Sequence, residues 1–438
     1  MLSFDVVIIG GGVAGTVSAL YCAKEGARVA LISKGLGASL FSSGALDICG
    51  SPVFASGLPW SKFISVKDNL SEVLARRHFH PYSILALNFA EDPKNETFNY
   101  VEQSVRFFIN SLEAVGLRMK GEVNLQRPAP TILGTWKLTS FVQASQQLGS
   151  IQGGSSVVGI KGLNLVDAGI LADALNSTFS ATGLGNIELE VIEVELGSRA
   201  SWTQEELSAY FANPHKIEEL KKKISSAGGG KYQTLLIPPI LDNCPISDEE
   251  LRLNDEGTIL QEMLGAPGFM PGKRLKRAMS LALLNAGVSV FDGNACGFEK
   301  NGDKIVSCMM EGYSKERASA NKWVLATGKF IGGGLKKNKS LIETSLELPV
   351  FCDGKAMEEI FTPKLLKSHV FGDHPIFSAG VLTDTNFRPL NADGDVAYKN
   401  LYACGAVLGG YNYHIDNCGM GVCIATGYKA GQEVLSDN

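Results

Sequence analysis

Two kinds of apolar pattern alternate along the chain. Short unbroken runs bounded by glycine read as strands buried on both faces, and stretches with an apolar residue every three or four positions read as helices with one covered face. The first run, Val-Val-Ile-Ile at 6–9, enters Gly10-Gly11-Gly12-Val13-Ala14-Gly15. A helix through Ala19, Leu20 and Ala23 follows, stops at Gly26 and gives way to a second strand over 28–32. Farther on, the pattern predicts a helix over 93–115, a buried strand over 156–160, a helix over 166–175 and an alternating strand over 187–196. One amphipathic helix over 202–224, ending in Lys221-Lys222-Lys223, and a strand over 233–237 halted by Pro238-Pro239 come next. From Pro271 the opening pattern resumes, with a helix over 271–285, a strand over 288–291, a hairpin at Asn301-Gly302-Asp303 and strands over 304–308 and 323–326. A last strand enters Cys404-Gly405-Ala406, and a small-residue helix over 422–430 follows Gly419-Met420-Gly421.

The opening strand, turn, helix and returning strand form half of a nucleotide-binding βαβ unit, and this context gives weight to the G-x-G-x-x-G spacing. Gly10 permits the tight turn, Gly12 lets a phosphate approach bare backbone, and Gly15 lets the helix pack closely on the sheet. The helix N-terminus then offers unpaired N–H groups and its dipole to an anion. Where the second strand ends, a carboxylate usually receives two ribose hydroxyls, but this chain has Ser33 followed by Lys34. Serine makes one hydrogen bond in place of two charge-assisted ones, which weakens the case for an adenosine ribose. Lys34 either faces a phosphate or caps the strand in solvent.

At 438 residues the chain can bury a large core, and its length suggests about two to three domains. A hydrophobic share of 45% and a charged share of 19% exclude a disordered protein, and a net charge of −5 does not call for nucleic acid. The apolar N-terminus carries Asp5 before its apolar core and no basic segment, so no signal sequence is expected. No run approaches the roughly 18 apolar residues of a spanning helix. Nine cysteines without C-x-x-C pairs argue for buried thiols rather than a disulfide framework or an iron–sulfur cluster. No metal site is expected.

Three further segments could line a ligand. The loop over 35–50 holds Phe41-Ser42-Ser43-Gly44-Ala45-Leu46-Asp47, Thr327-Gly328 closes the strand over 323–326 in a permissive turn, and Gly405 and Gly419 to Gly421 border the last helix. Lys273, Arg274, Lys276 and Arg277 crowd a helix start that the dipole makes unfavourable for cations, so an anion or acid is expected near some of them.

Together these features resemble two-domain flavoproteins. More narrowly, the 41–47 segment, His80-Pro81-Tyr82-Ser83, Leu133-Gly134-Thr135, Val158-Gly159-Ile160, Gly272-Lys273-Arg274-Leu275, Gly380-Val381-Leu382-Thr383-Asp384 with Arg388-Pro389, and Cys418-Gly419-Met420-Gly421-Val422-Cys423 resemble the family of B subunits of the anaerobic glycerol-3-phosphate dehydrogenase. The resemblance implies an α/β fold: a Rossmann-like flavin-binding domain assembled from both ends of the chain, 1–60 plus 268–438, with an inserted α/β domain over 61–267 that caps the site or faces a partner. It implies oxidation of sn-glycerol 3-phosphate to dihydroxyacetone phosphate, electrons passing toward quinone, a catalytic flavoprotein partner and a membrane-bound iron–sulfur partner. The chain would then be cytoplasmic, held peripherally at the inner face of the membrane by those partners.

The resemblance implies FMN, whereas the glycine motif suits the pyrophosphate of FAD. Gly10, Gly12 and Gly15 should meet phosphate, with Ser33 and Lys34 beside them. Ser42, Ser43, Gly44, Gly405, Gly419 and Gly421 should border the ring system, with Thr327 and Gly328 closing over the cofactor. Related flavoproteins place an arginine before the last glycine turn, where this chain has Ile415-Asp416-Asn417-Cys418. Arg274 is the first replacement and Arg388 the second, either of which could instead be a structural ion pair. His414 reads as structural. A self-sufficient flavin oxidoreductase and a non-catalytic scaffold with a degenerate nucleotide fold are the alternative functions.

Overall fold

The computed structural model describes residues 1–436 apart from 36, 51–59, 63, 150, 152–153, 164–166, 198, 242–247, 267–269, 313–315, 358–361 and 370–371. Five parallel strands form its principal sheet, in the order Ser289–Asn301, Val29–Ser33, Leu2–Ile9, Arg317–Leu325 and Leu401–Ala403. The strand Leu2–Ile9 is central, as its apolar run requires. Val6 and Ile8 pack with Leu20, Ala282, Leu283 and Val434 from three helices, while Val7 and Ile9 share a cluster with Ile305, Met310 and Trp323 on the other face. Alternation along a strand sends neighbours to opposite faces, so an unbroken run records burial on both.

The second face is covered by an antiparallel meander. Ser289–Asn301 runs beyond its parallel half and pairs with Lys304–Gly312 across the expected hairpin, where Asn301 faces Lys304. Lys304–Gly312 in turn pairs with the start of Arg317–Leu325. The carboxyl ends of the parallel strands at Ile9, Ser33, Leu325 and Ala403 therefore lie along one edge, where open α/β sheets bind ligands.

A second parallel sheet, in the order Ile259–Glu262, Thr234–Ile237, Ser155–Ile160 and Leu189–Val194, makes a separate three-layer unit. Val157 faces Leu171 and Leu175 of the helix Ala168–Ser180, and Val158 belongs to the cluster of Leu207, Leu220 and Ile224 on the opposite side. The single helix expected over 202–224 is two, Gln204–Phe211 and Pro214–Ser226. Pro214 cannot supply an interior N–H, and Asn213 caps the new start by accepting from the His215 N–H at 3.0 Å.

Two helices beyond the boundary expected at residue 60 pack with the first strand. Helices Val66–Arg76 and Pro93–Glu113 place Leu70, Val73, Val105 and Phe108 in the same cluster as Val7 and Ile9, so they belong to the principal unit. The two units are joined by a buried ion pair. Arg274 donates through Nη2 to Glu262 Oε2 at 2.7 Å and through Nε to Gln143 Oε1 at 2.7 Å, and Nη1 bonds the Leu241 carbonyl. Glu262 also accepts from Ser145 Oγ at 2.6 Å and Leu241 N–H at 2.8 Å, so both charges are desolvated and each is held by several hydrogen bonds.

Candidate functional site

The glycine turn is fixed by contacts that exclude side chains at two positions and leave a third open. Gly10 has φ +115°, and a β-carbon there would lie 2.2 Å from the Ala326 carbonyl oxygen; at Gly15 it would lie 1.9 Å from the Gly10 carbonyl oxygen. At Gly12 it would meet nothing within 4 Å. The helix Val13–Lys24 that starts there has no side-chain cap and no acid in its first turn, so its N-terminal field is directed into that open space. These residues fit a phosphate-bearing dinucleotide: the cradle at Gly12 is the space a β-carbon would fill. Lys276 reaches the same turn and donates to the Gly11 carbonyl at 3.1 Å. Burial lowers its amine from the ordinary lysine value, and the charge of Asp292 opposes that shift. One of the four crowded cations thus sits beside the turn and another, Arg274, in the joint.

Ser33 is half-buried at the end of its strand and spends its hydroxyl on the Gly35 carbonyl at 2.9 Å; Lys34 is exposed. Gly328, with φ +75° and open space before it, follows the strand next to Leu2–Ile9, and Thr327 donates to buried Glu343 at 3.3 Å. The 42–47 loop is a bridge between units. Its Ser43 carbonyl accepts from Gln146 Nε2 at 2.9 Å and Gly265 N–H at 3.0 Å, the Ser42 hydroxyl accepts from Gly44 N–H at 3.2 Å, and Asp47 pairs with Lys137 at 2.6 Å. Three of the glycines expected to border the ring are closely packed. A β-carbon would meet the Gln146 amide at Gly44, Ala14 at Gly405, and the Ile48 carbonyl and Tyr82 hydroxyl at Gly421. Gly419 is less confined, its nearest neighbour being Tyr413 at 3.4 Å.

Arg388 pairs with Asp384, four residues earlier, at 2.7 Å, and its side chain is 28% exposed against 1% for Arg274. His414 stacks on Tyr413 with ring centroids 4.3 Å apart. Beneath the last helix lies a buried polar cluster that motif spacing did not single out. His80 accepts the Tyr82 N–H through Nδ1 at 3.1 Å and places Nε2 3.7 Å from Cys418 Sγ, while Asp416 accepts the Asn412 N–H at 2.9 Å and lies 3.4 Å from the Arg77 guanidinium. Lys329, directly after Gly328, is buried with its amine over the Tyr411 ring at 4.8 Å and bonded to the Phe377 carbonyl at 2.5 Å. Burial pushes Lys329 down to about 7 and His80 down to about 3. His80, Asp416 and Cys418 approach one another within 4.8 Å, a spacing open to a metal ion, but Arg77 and Lys329 oppose a further cation there.

An uncapped glycine turn at the carboxyl edge of a parallel sheet, with a meander over one face, defines a dinucleotide-binding protein of the α/β class. The chain belongs to the family described as FAD binding domain, whose model matches residues 5–136 and 251–422. Of the two flavins the sequence left open, the family match favours FAD. Nearly the whole chain is also similar to B subunits of anaerobic glycerol-3-phosphate dehydrogenase. A probable one from Halobacterium salinarum is 28% identical over 98% of this chain and 96% of that protein, and one from Aliivibrio fischeri is 26% identical over 99% and 96%. The resemblance read from the motifs is borne out by these relatives. A solved 3-ketosteroid delta1-dehydrogenase from Sterolibacterium denitrificans aligns over 100% of both chains with TM-score 0.43 and 11% identity.

The turn geometry separates folding from binding. Gly12→Val should fold, because the space is open and the backbone φ of −77° suits valine, yet lose flavin; Gly15→Ala should lose the fold itself. Circular dichroism and flavin absorbance check this, and a folded Gly12→Val protein with full flavin content would contradict it. A second expectation concerns acid. Folded His80 titrates at about 3 against 6.5 ordinarily, so the unfolded chain binds the proton first; stability is fully present above the unfolded value and is lost as pH falls through that window. His80→Asn keeps an N-cap acceptor, and the fall in its denaturation midpoint between about pH 7 and pH 4 should be smaller than in the parent. An equal fall would count against a neutral buried imidazole.

Proposed function

We propose that this chain is the FAD-bearing B subunit of an anaerobic glycerol-3-phosphate dehydrogenase complex, which oxidises sn-glycerol 3-phosphate to dihydroxyacetone phosphate and passes electrons toward quinone. The observation that carries this reading is the conjunction of near-full-length similarity to B subunits with an open, uncapped glycine turn in a chain matching the FAD-binding family. Bound FAD supplies a two-electron acceptor that can release electrons singly.

The residues of this chain bind and orient. Gly10 and Gly15 lock the turn, Gly12 leaves room for the pyrophosphate, and the helix dipole with Lys276 offsets its charge. Ser42, Ser43 and Gly419 are the candidates beside the ring, and Thr327 and Gly328 close over the cofactor from the neighbouring strand. Of the two arginines, Arg274 is buried in the joint against Glu262, Gln143 and Leu241, whereas Arg388, paired with Asp384, is the more exposed and is the candidate to meet an anionic group. Among the described residues no helix is long and apolar enough to cross a membrane, so a peripheral place at the inner face, held by a membrane-bound iron–sulfur subunit and a catalytic flavoprotein subunit, accords with the helices present.

Co-expression with candidate partner subunits tests the proposal. The assembled complex should reduce a quinone analogue with glycerol 3-phosphate, and leaving out this chain should abolish that activity. Full activity without it would leave only a scaffold, and flavin reduction by glycerol 3-phosphate in the isolated chain would make it self-sufficient; either result overturns the proposal.

A further inference from the structure

We propose that Asp292 is the carboxylate that receives the adenosine ribose of FAD, taking over from the strand end where Ser33 stands; the inference rests on the FAD reading above. Ser33 cannot fill that role fully: with its proton given to the Gly35 carbonyl at 2.9 Å it offers one neutral acceptor oxygen, where a carboxylate offers two charged ones. The neighbouring strand supplies what it lacks. Asp292 is the register partner of Ser33 in the parallel pairing of Ser289–Asn301 with Val29–Ser33, so the two side chains leave the sheet on the same face.

That face is the one at the glycine turn. A β-carbon on Gly11 would lie 2.7 Å from Ser33 Oγ, which places the Ser33 side chain against the turn. Lys276, bonded to the Gly11 carbonyl at 3.1 Å, is influenced by the charge of Asp292, which brings the carboxylate to the same corner from a third element. Asp292 is exposed, and its carboxylate makes no hydrogen bond among the described residues. An acid that served only to neutralise Lys276 would hold the amine directly, whereas here the amine is bonded to a carbonyl.

The chemistry matches the geometry. Vicinal ribose hydroxyls are two donors that one carboxylate can accept together, each bond charge-assisted. Adjacent strands lie about 4.8 Å apart, so moving the acid by one strand shifts it by less than the width of a ribose. The residue would also select between cofactors, because FMN carries no adenosine.

Equilibrium titration of the apoprotein with FAD, FMN and FAD built on 2′-deoxyadenosine, followed by flavin fluorescence, tests this in the parent and in Asp292→Asn. Asp292→Asn should weaken FAD about tenfold or more, as expected for the loss of charge-assisted bonds, and leave FMN unchanged. The deoxy analogue should bind the parent more weakly than FAD does, and this difference should shrink in the variant. Equal FAD affinity in both proteins overturns the proposal, as does a weakening that leaves the ribose discrimination intact. A parent protein that takes FMN and refuses FAD overturns the FAD reading itself, and the two failures are thus told apart.

Discussion

Two main-chain carbonyls leave no room for a β-carbon in the first turn of this protein, and the rest of its architecture follows from that exclusion. The Ala326 carbonyl closes on Gly10 and the Gly10 carbonyl closes on Gly15, tying the first strand, the first helix and the strand Arg317–Leu325 into one rigid corner. A helix so held cannot tilt to find a capping side chain, and none is present. Its unpaired N–H groups are left beside the open space at Gly12, a configuration that costs free energy until an anion arrives. The last helix then packs against the first through Gly427, and Gly405, in the turn after the strand Leu401–Ala403, closes on the same residue; β-carbons at both would collide with Ala14. At Gly10, Gly15 and Gly427 glycine thus serves as spacing for backbone contact, and at Gly12 it leaves open space.

How much of this was legible in the sequence depended on how local the cause was. The βαβ unit was legible because a run of β-branched residues, a glycine turn and a small-residue helix each declare themselves within a dozen positions. The hairpin at Asn301 was legible for the same reason. The break at Pro214 was written in the sequence too, but the amphipathic pattern runs through it, and periodicity alone carries a helix across. The stretch holding helices Val66–Arg76 and Pro93–Glu113 was allotted to the inserted span 61–267 by resemblance alone, because amphipathicity says that a face is covered and not by what. Arg274 shows the limit most plainly. Its partner Glu262 stands twelve positions away and Gln143 far upstream, so a buried joint was indistinguishable from a ligand-facing cation until the chain was folded. Ser33 was legible as a missing acid, whereas its register partner Asp292 lies 259 positions later.

The buried cluster around His80 and Lys329 bears on both stability and site. A lysine whose acceptors are carbonyls and an aromatic face, and an imidazole held neutral, are costly to keep. Both lie below the last helix, beside Asp416 and Cys418. The expected site has two parts: a corner of bare backbone at Gly10 to Gly15, and the segments expected beside the ring, of which Gly44, Gly405 and Gly421 are closely packed. The first is fixed by the fold alone. In the second, Gly44 is set by Gln146, Gly405 by Ala14, and Gly421 by Ile48 and Tyr82.

The most direct test of the central claim, that this backbone corner holds the pyrophosphate of a flavin dinucleotide, is mass identification of the cofactor released from the purified, native chain. The account predicts FAD at one molecule per chain. Release of FMN alone, or of no flavin from protein reconstituted with FAD, would contradict it.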